Sequence, residues 1–224
     1  MVGIRPRDSL LVAGSETLAN RLSRIREPHV APLNDLVEEL SVQRGISEPW
    51  FDPDGGGVNA RILLLLESPG PKSTAGKGSG IISPDNDDDT AENTWLLRRE
   101  ASIDPAMIVH WNAVPWFLDD EKKPTARVKE DGARFLKKTI QLMPALRVVV
   151  LAGRHAQDTW ARYRKLPGAV AITTVETWHP AKLAIGLRRS PPVSGLYRLR
   201  QEELLAALMQ ARRLSEQPLR RGTN

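Results

Sequence analysis

Three short apolar segments of the sequence each lead into residues that can do chemistry. The segments and the polar residues that follow them are Ile62–Leu66 with Glu67-Ser68, Met107–Trp111 with Asn112, and Val170–Val175 with His179. A carboxylate, an amide and an imidazole can move protons and read hydrogen-bonding groups. If the segments are parallel strands, their carboxyl ends meet at one edge of a sheet, where open α/β sheets bind ligands. Glu67, Asn112 and His179 are therefore predicted to line one crevice.

The glycine-rich stretch after the first segment does not match a phosphate-binding P-loop. That loop has four residues between its glycines and then Lys followed by Ser or Thr. Here five residues separate Gly70 from Gly76, and Gly78 follows Lys77. No helical pattern comes next, so the stretch lacks the helix N-terminus that would hold a phosphate.

A serine hydrolase with Ser68 as nucleophile and His179 as base is also disfavoured. Such enzymes use the backbone N–H of the residue after the serine as an oxyanion-hole donor. That residue is Pro69, which has no N–H, and the G-x-S-x-G spacing is absent.

Metal binding has little support in the sequence. The four histidines are scattered, with no close pair at helical spacing. The acidic run 85–89 (DNDDD) lacks the twelve-residue pattern and closing glutamate of a calcium loop, so a solvated loop is the favoured interpretation. We assign no metal ligands and no cofactor.

The positioning elements alternate between buried strands and helices. Continuous apolar runs, typical of strands buried on both faces, occur at 62–66, 107–111, 147–151 and 170–175, and helical patterns occur at 91–101, 125–143, 154–165 and 197–214. Residues 71–90 are rich in Gly, Ser, Pro and Asp and are predicted to form a loop. This alternation predicts an α/β fold, a three-layer αβα sandwich around a four-stranded parallel sheet. Gly153 closes the third strand and leaves room for a neighbouring side chain.

Two helices are predicted before the sheet. An apolar stripe follows a Ser15 cap, and a second stripe, after breaks at Pro28 and Pro32, ends at Gly45. We interpret residues 1–47 as a helical extension packed on the core and residues 48–224 as the α/β domain, with a single domain overall.

The composition sets further limits. The chain has 224 residues, 41% hydrophobic and 26% charged, which is typical of a soluble globular protein. The absence of cysteine excludes disulfides, thiolate metal sites and iron–sulfur clusters. No apolar run approaches the ~20 residues of a membrane helix, and the N-terminus lacks the apolar region of a signal peptide. We expect a cytoplasmic protein that acts at the nucleoid, with no membrane partner.

Positive charge is concentrated in the last third of the chain. The net charge is +5, but residues 151–224 carry thirteen Lys and Arg against five Asp and Glu, which leaves the preceding residues at −3. Such asymmetry suits a polyanionic partner.

Three motifs, LLLLESPGP, HWNAVPW and TWHPAKL, resemble in this order those of the uracil-DNA glycosylase superfamily. VVVLAGRHAQ is similar to the third strand and following helix of that family, and the resemblance spans about residues 60–190. The first motif is closest to the branch that reads G-E-A-P-G, with Leu66 and Ser68 as departures. That branch usually carries an iron–sulfur cluster, so this chain resembles a cluster-free relative.

The resemblance implies base excision from DNA and assigns roles to the strand-end residues. Asn112 is expected to hydrogen-bond the base edge, and His179 to donate a hydrogen bond where negative charge develops. Glu67 is expected to orient water or to stabilise the cation-like sugar, and Ser68 to bind water or phosphate.

Four further residues are assigned to substrate binding. Pro69 and Gly70 match the first motif, Ile82 falls near the slot of the base-stacking aromatic, and Trp116 is expected to be a pocket wall. Ile82 is a departure from the family pattern, because an aliphatic side chain stacks less well on a base.

The segment after His179 is assigned to DNA binding. Leu183 stands where the family places a wedge residue that enters the base stack. Lys182, Arg188 and Arg189 are expected to contact phosphates.

Two functions remain open at this point. The first, which Asn112 and His179 favour, is a monofunctional glycosylase that removes uracil or a related deaminated base. The second is a DNA-binding or modified-base-binding protein with a weakened site, which Ser68 and Ile82 favour. In both, the partner is DNA and the protein is expected to be a monomer.

Overall fold

The computed structural model of the protein describes residues 5–118, 123–188 and 194–217. In chain order the helices and strands are α1 (Glu16–Ser23), α2 (Ala31–Arg44), β1 (Trp50–Phe51), β2 (Ile62–Leu66), β3 (Ile81–Ile82), α3 (Asp89–Glu100), β4 (Ile108–Asn112), α4 (Ala126–Gln141), β5 (Val148–Ala152), α5 (Arg154–Tyr163), β6 (Thr173–Thr177), α6 (Lys182–Ile185) and α7 (Gly195–Glu216).

Four of the strands form one parallel sheet in the order β4-β2-β5-β6. In this register Leu66, the last residue of β2, lies opposite Asn112, the last residue of β4. On the other side of β2, Leu65 lies opposite Leu151 of β5. The carboxyl ends of all four strands therefore meet at one edge of the sheet.

Helices cover both faces of this sheet. Along β2, Leu63 and Leu65 pack into an apolar cluster with side chains of α2, α4 and α5. Ile62 and Leu64 point to the opposite face and pack with side chains of α3 and α7. The predicted three-layer αβα sandwich with a four-stranded parallel sheet and preceding helices is confirmed.

The first two helices begin and end where local chemistry indicates. The Ser15 side chain accepts a hydrogen bond from the Leu18 N–H and caps α1. Gly45 ends α2 with a left-handed φ of 66°, which glycine adopts without the steric cost of a Cβ. Leu33 and Val37 of α2 lie in the same apolar cluster as Leu63 of the central strand.

The segment 71–90, predicted as a loop, contains a short strand. Its β3 pairs in parallel with β1, Trp50 opposite Ile81 and Phe51 opposite Ile82. Two residues are too few to display the alternation that identifies a strand, so the pairing has no sequence signature.

The last strand of the large sheet begins later than predicted. Val170 does not enter the sheet, because the Tyr163 hydroxyl donates to its carbonyl at 3.0 Å and accepts from its N–H at 2.9 Å. These side-chain bonds take the backbone groups that a strand would pair, and β6 spans Thr173–Thr177.

Gly132 provides a test of how α4 packs over the end of β4. A Cβ at this position would lie 2.2 Å from the carbonyl oxygen of Ala113. Alanine favours a helix over glycine by about 1 kcal/mol, but overpacking against backbone costs about 1–3 kcal/mol or more. We expect Gly132→Ala to lower the free energy of unfolding in urea. Gly195→Ala, where the added Cβ meets nothing within 4 Å, is the control. An unchanged or raised stability of Gly132→Ala would refute this packing.

Candidate functional site

A cleft of about 480 Å³ opens at the sheet edge where β2 and β4 end. Its lining contains eight of the residues predicted for the site: Ser68, Pro69, Gly70, Ile82, Asn112, His179, Lys182 and Leu183. His110 and Asp88, which have no expected role in the site, also line the cleft. Parallel pairing thus brings an amide, an imidazole and a hydroxyl group to one cavity.

Asn112 presents an unused amide to this cleft. The backbone beside it is held by hydrogen bonds from the Ala113 N–H to the Leu66 carbonyl at 2.8 Å and from the Val114 N–H to the Glu67 carbonyl at 2.9 Å. Asn112 is 2% exposed, yet among the described residues nothing hydrogen-bonds its side-chain amide. Buried amides normally have partners, so the donor and acceptor of Asn112 are available to a ligand.

The His179 ring has a defined tautomer. The Ala181 N–H donates to His179 Nδ1 at 3.1 Å, so Nδ1 carries a lone pair and the proton of the neutral ring is on Nε2. Burial and, to a smaller degree, the neighbouring His155 lower the pKa of His179 to about 4. The ring is therefore a neutral hydrogen-bond donor at physiological pH.

Gly153 leaves the space that the His179 side chain occupies. It has a φ of 85°, and a Cβ there would lie 2.9 Å from His179 Cβ. Its N–H donates to the Thr177 carbonyl at 2.8 Å, which ties the end of β6 to the start of α5. The expectation that Gly153 admits a neighbouring side chain is confirmed.

Glu67 does not line the cleft with Asn112 and His179. Its carboxylate lies 3.8 Å from Nε2 of His155 on α5. Side chains alternate along an extended chain, so Leu66 and Ser68 face the cleft and Glu67 faces away. The three side chains share one sheet edge, but only Asn112 and His179 share the cavity.

The Asn93 side chain on α3 holds both ends of the segment after His179. Its Nδ2 donates to the carbonyls of Pro180 and Gly186 at 2.7 and 2.8 Å, and its Oδ1 accepts from the Arg188 N–H at 2.7 Å. Asn93 is 1% exposed, so these bonds form away from water. No local sequence pattern indicates this role, since the partners lie almost a hundred residues away.

The four residues predicted for DNA binding have different surroundings. Leu183 is 89% exposed at the cleft mouth, and the Lys182 ammonium lies there 3.7 Å from Asp89. The Arg188 guanidinium instead points inward to Glu100 at 2.6 Å and Gln201 at 3.1 Å. Arg188 is thus committed to an internal ion pair, a correction to its expected place on phosphate. Arg189 lies outside the described residues.

N-terminal residues support the cleft wall that contains Ile82. Arg21 of α1 donates to both carboxylate oxygens of Asp52 at 2.7 and 2.8 Å and to Asp85 at 3.0 Å. Arg5 donates to the carbonyls of Pro84 and Asn86, both at 2.8 Å. The residues that hold this wall in place therefore come from a different part of the chain than those that line it.

The acidic run 85–89 is more ordered than the solvated loop that its composition predicts. Burial raises the pKa of Asp85, which is paired with Arg21. Burial also raises the pKa of Asp88, whose side chain accepts from the Ala91 N–H at 2.9 Å and caps α3. Asn86 donates to the Ile81 carbonyl at 2.8 Å. The polar groups of the run hold the wall and start α3.

His110 lies two residues before Asn112 on β4 and lines both the cleft and a second cavity behind it. Burial and the nearby Arg98 lower its pKa to about 3, so its ring is neutral. Its Nε2 is buried and has no hydrogen-bond partner among the described residues.

Trp116, predicted as a pocket wall, is not among the residues that line the cleft. Its side chain is buried in the apolar cluster, and the guanidinium of Arg44 on α2 lies 4.5 Å from its ring centroid. The chain after Asn112 thus turns toward α2 and takes this ring into the core. The wall at the predicted stacking position is Ile82.

The described residues contain no helix long and apolar enough to cross a membrane. They also contain no group of three or more His, Asp or Glu side chains placed to hold a metal ion.

Comparison with known families identifies the family of the chain. The family model described as "Uracil DNA glycosylase superfamily" matches residues 53–192, more than half of the chain and all of the residues that line the cleft. No curated protein sequence matches the chain. Arg5 and Arg21, which support the cleft wall, precede the matched range.

Replacement of Asn93 tests its hold on the segment after His179. Asn93→Ala leaves two carbonyls and one N–H without their partner, and each buried unsatisfied group costs about 1–3 kcal/mol. We expect the free energy of unfolding to fall by at least about 2 kcal/mol, with faster hydrogen exchange in residues 181–188. Asn20→Ala, at an exposed position of α1, is the control. Unchanged exchange in this segment would show that Asn93 does not hold it.

Proposed function

The chain belongs to the uracil-DNA glycosylase superfamily, and on that premise we propose that it is a monofunctional DNA glycosylase. It hydrolyses the N-glycosidic bond of uracil or a related deaminated base. The observation that carries this proposal is the buried amide of Asn112, which no described residue hydrogen-bonds, beside the neutral His179 ring in one cleft. A base reaches this cleft by leaving the stack, at a cost of about a few kcal/mol.

Asn112 reads the base edge. Its side-chain amide offers an acceptor and two donors, which match the adjacent carbonyl and imide N–H of uracil. Cytosine has an amino group and an unprotonated ring nitrogen in the corresponding positions. A buried site of this kind discriminates strongly, because a mismatched base leaves polar groups unpaired.

His179 stabilises the departing base. As the glycosidic bond breaks, its electron pair leaves with the base and negative charge develops on the carbonyl oxygens. The Nε2–H of His179 is oriented by the bond from the Ala181 N–H to Nδ1. A donor fixed before the reaction needs no reorganisation when the charge develops.

The water that replaces the base adds to the sugar carbon as the bond breaks, and its proton passes to the base or to solvent. The Ser68 hydroxyl lines the cleft and can accept a hydrogen bond from this water. Glu67 faces His155 and not the cleft, so it has no direct contact with the sugar in this step.

The cleft mouth suits DNA. Leu183 is exposed there and fills the stack as the nucleotide leaves, which offsets the cost of unstacking. Lys182 at the same mouth adds positive charge toward phosphate. Pro69 and Gly70 form the adjacent wall. We propose that the protein acts as a monomer on the DNA of the nucleoid.

The second candidate is a protein of the same fold that binds DNA or a modified base without cleavage. The observation that favours it is Ile82, which lines the cleft where an aromatic ring would stack more strongly on the base. Ser68 favours it too, because a hydroxyl activates water less than a carboxylate does.

Substitution of Asn112 separates base reading from DNA binding. Asn112→Asp replaces donors with an acceptor-only carboxylate, which repels the uracil carbonyl and accepts from the cytosine amino group. We expect at least a 100-fold loss of uracil excision, about 2.7 kcal/mol at about 1.4 kcal/mol per factor of ten, with DNA affinity within about threefold.

Excision is measured by alkaline cleavage of the abasic sites that it leaves, and DNA affinity is measured by fluorescence anisotropy. Asn59→Asp, the same change at an exposed position, is the control. If Asn112→Asp keeps full uracil excision, Asn112 does not read the base.

The pH dependence of excision tests the state of His179. Because its pKa is lowered from 6.5 to about 4, the ring stays neutral as the pH falls through 6.5. We expect kcat/KM to show no histidine titration between pH 8 and about 5.5 and to fall only as the pH approaches 4, where protonated Nδ1 loses its bond from Ala181.

Circular dichroism at each pH checks that the protein is folded. His179→Gln keeps an N–H donor without a titratable ring, so the fall near pH 4 should disappear in this variant. A rate midpoint near pH 6.5 in the wild type would contradict the proposed role.

A further inference from the structure

Another cavity, of about 560 Å³ and distinct from the two that His110 lines, lies at the ends of β5 and β6. Its lining includes Gly153, Arg154, Gln157, Thr177 and Trp178. Gly153 is in close contact with His179, and Trp178 precedes His179 in the chain. The cavity is therefore next to the proposed catalytic histidine but separate from the cleft that holds Asn112.

Trp178 is an exposed ring with a fixed orientation. It is 39% exposed, whereas no other tryptophan of the described residues is among the exposed large side chains. The Arg200 guanidinium lies 4.2 Å from its ring centroid, and its Nε1–H donates to the Glu203 carboxylate. Contacts on one face and one edge hold the ring, and it faces the cavity without an aromatic partner among the described residues.

Trp178 is linked to the mouth of the cleft through Arg200. Arg200, which covers one face of Trp178, also donates to the carbonyl of Ala184 at 2.9 Å. Ala184 follows Leu183, the exposed residue at the mouth of the cleft. Trp178 and Leu183 are thus connected through Arg200 on the same side of the molecule.

The polar groups around this cavity favour a base over a phosphate. Glu176 and Glu203 contribute two carboxylates to its lining against the one guanidinium of Arg154, so the balance of charge disfavours a phosphate. Thr177 also lines the cavity, but its Oγ1 is buried and does not face a ligand there. A flat apolar ring that faces a cavity suits a nucleobase, which stacks through its face.

We propose that Trp178 is a stacking platform for an unpaired nucleobase next to the damaged nucleotide, so that the protein takes single-stranded DNA. This proposal rests on the proposed function for its choice of ligand. A base in a duplex has both faces covered by its neighbours and cannot stack on the ring without unpairing. Base–aromatic stacking is tolerant of sequence, so we expect little preference for the neighbouring base.

Binding of undamaged DNA tests the platform without depending on excision. The probes are a labelled single-stranded ten-nucleotide DNA and the duplex of the same sequence, measured by anisotropy with wild type, Trp178→Ala and Trp178→Phe. We expect Trp178→Ala to weaken single-strand binding roughly 5- to 100-fold, Trp178→Phe to retain most of the affinity, and duplex binding to change less than about twofold. Met209→Ala, an exposed position on α7, is the control.

Tryptophan fluorescence provides a second measurement that needs only the conservative variant. Single-stranded DNA should quench the wild-type emission, and this quenching should be lost in Trp178→Phe. If Trp178→Ala does not fold, as judged by circular dichroism, this measurement decides. Quenching that persists in Trp178→Phe would overturn the proposal.

Excision, measured in parallel on uracil-containing DNA, separates the two proposals. If the protein excises uracil but single-strand binding is unchanged in Trp178→Ala, the platform is wrong and the proposed function stands. If no base is excised but Trp178→Ala weakens single-strand binding, the platform stands and the glycosylase assignment fails. Equal loss of single-strand and duplex binding would overturn the single-strand proposal.

Discussion

The parallel pairing of β2 with both β4 and β5 is the constraint on which the site depends. It places Leu66 opposite Asn112, and the pairing of β5 with β6 brings the end of β6 beside Gly153. Because all four strands run in one direction, their loops leave from one edge, and residues far apart in the chain meet there. A shift of β4 by one residue would turn the Asn112 side chain to the opposite face.

Buried polar contacts then hold the segments that follow the strands and form the walls of the cleft. Asn93 holds both ends of the segment after His179, and Arg21 pairs with Asp52 and Asp85 under the opposite wall. Removal of one partner of such a buried group costs more than the bond contributes, because the remaining group stays unsatisfied. The cleft is therefore held from two sides by residues that do not line it.

Much of the fold is visible in the sequence because it is encoded locally. Fully buried strands such as Ile62–Leu66 have continuous apolar runs, and Ser15 and Gly45 mark helix ends by their own chemistry. Asn112 and His179 were found because the carboxyl ends of parallel strands converge. The orientation of Glu67 away from the cleft has a local basis too, because side chains alternate along an extended chain.

The remaining features depend on partners distant in sequence. Asn93 has no pattern that indicates a contact with Gly186, and the hydroxyl of Tyr163 takes the backbone groups of Val170 although Val170 is a good strand former. The direction of the Trp116 ring depends on α2, and that of the Arg188 side chain on Glu100. Propensity and periodicity carry no information on such contacts.

The most direct measurement of the central claim is the number of free bases released per protein molecule. Oligonucleotides that each contain one uracil, hypoxanthine, xanthine or mismatched thymine are offered in excess, single- and double-stranded, and the released base is quantified by mass spectrometry. We predict many uracil molecules released per protein molecule and abasic DNA in equal amount. DNA binding without any released base would contradict the proposed glycosylase activity and would indicate a DNA-binding protein with the same fold.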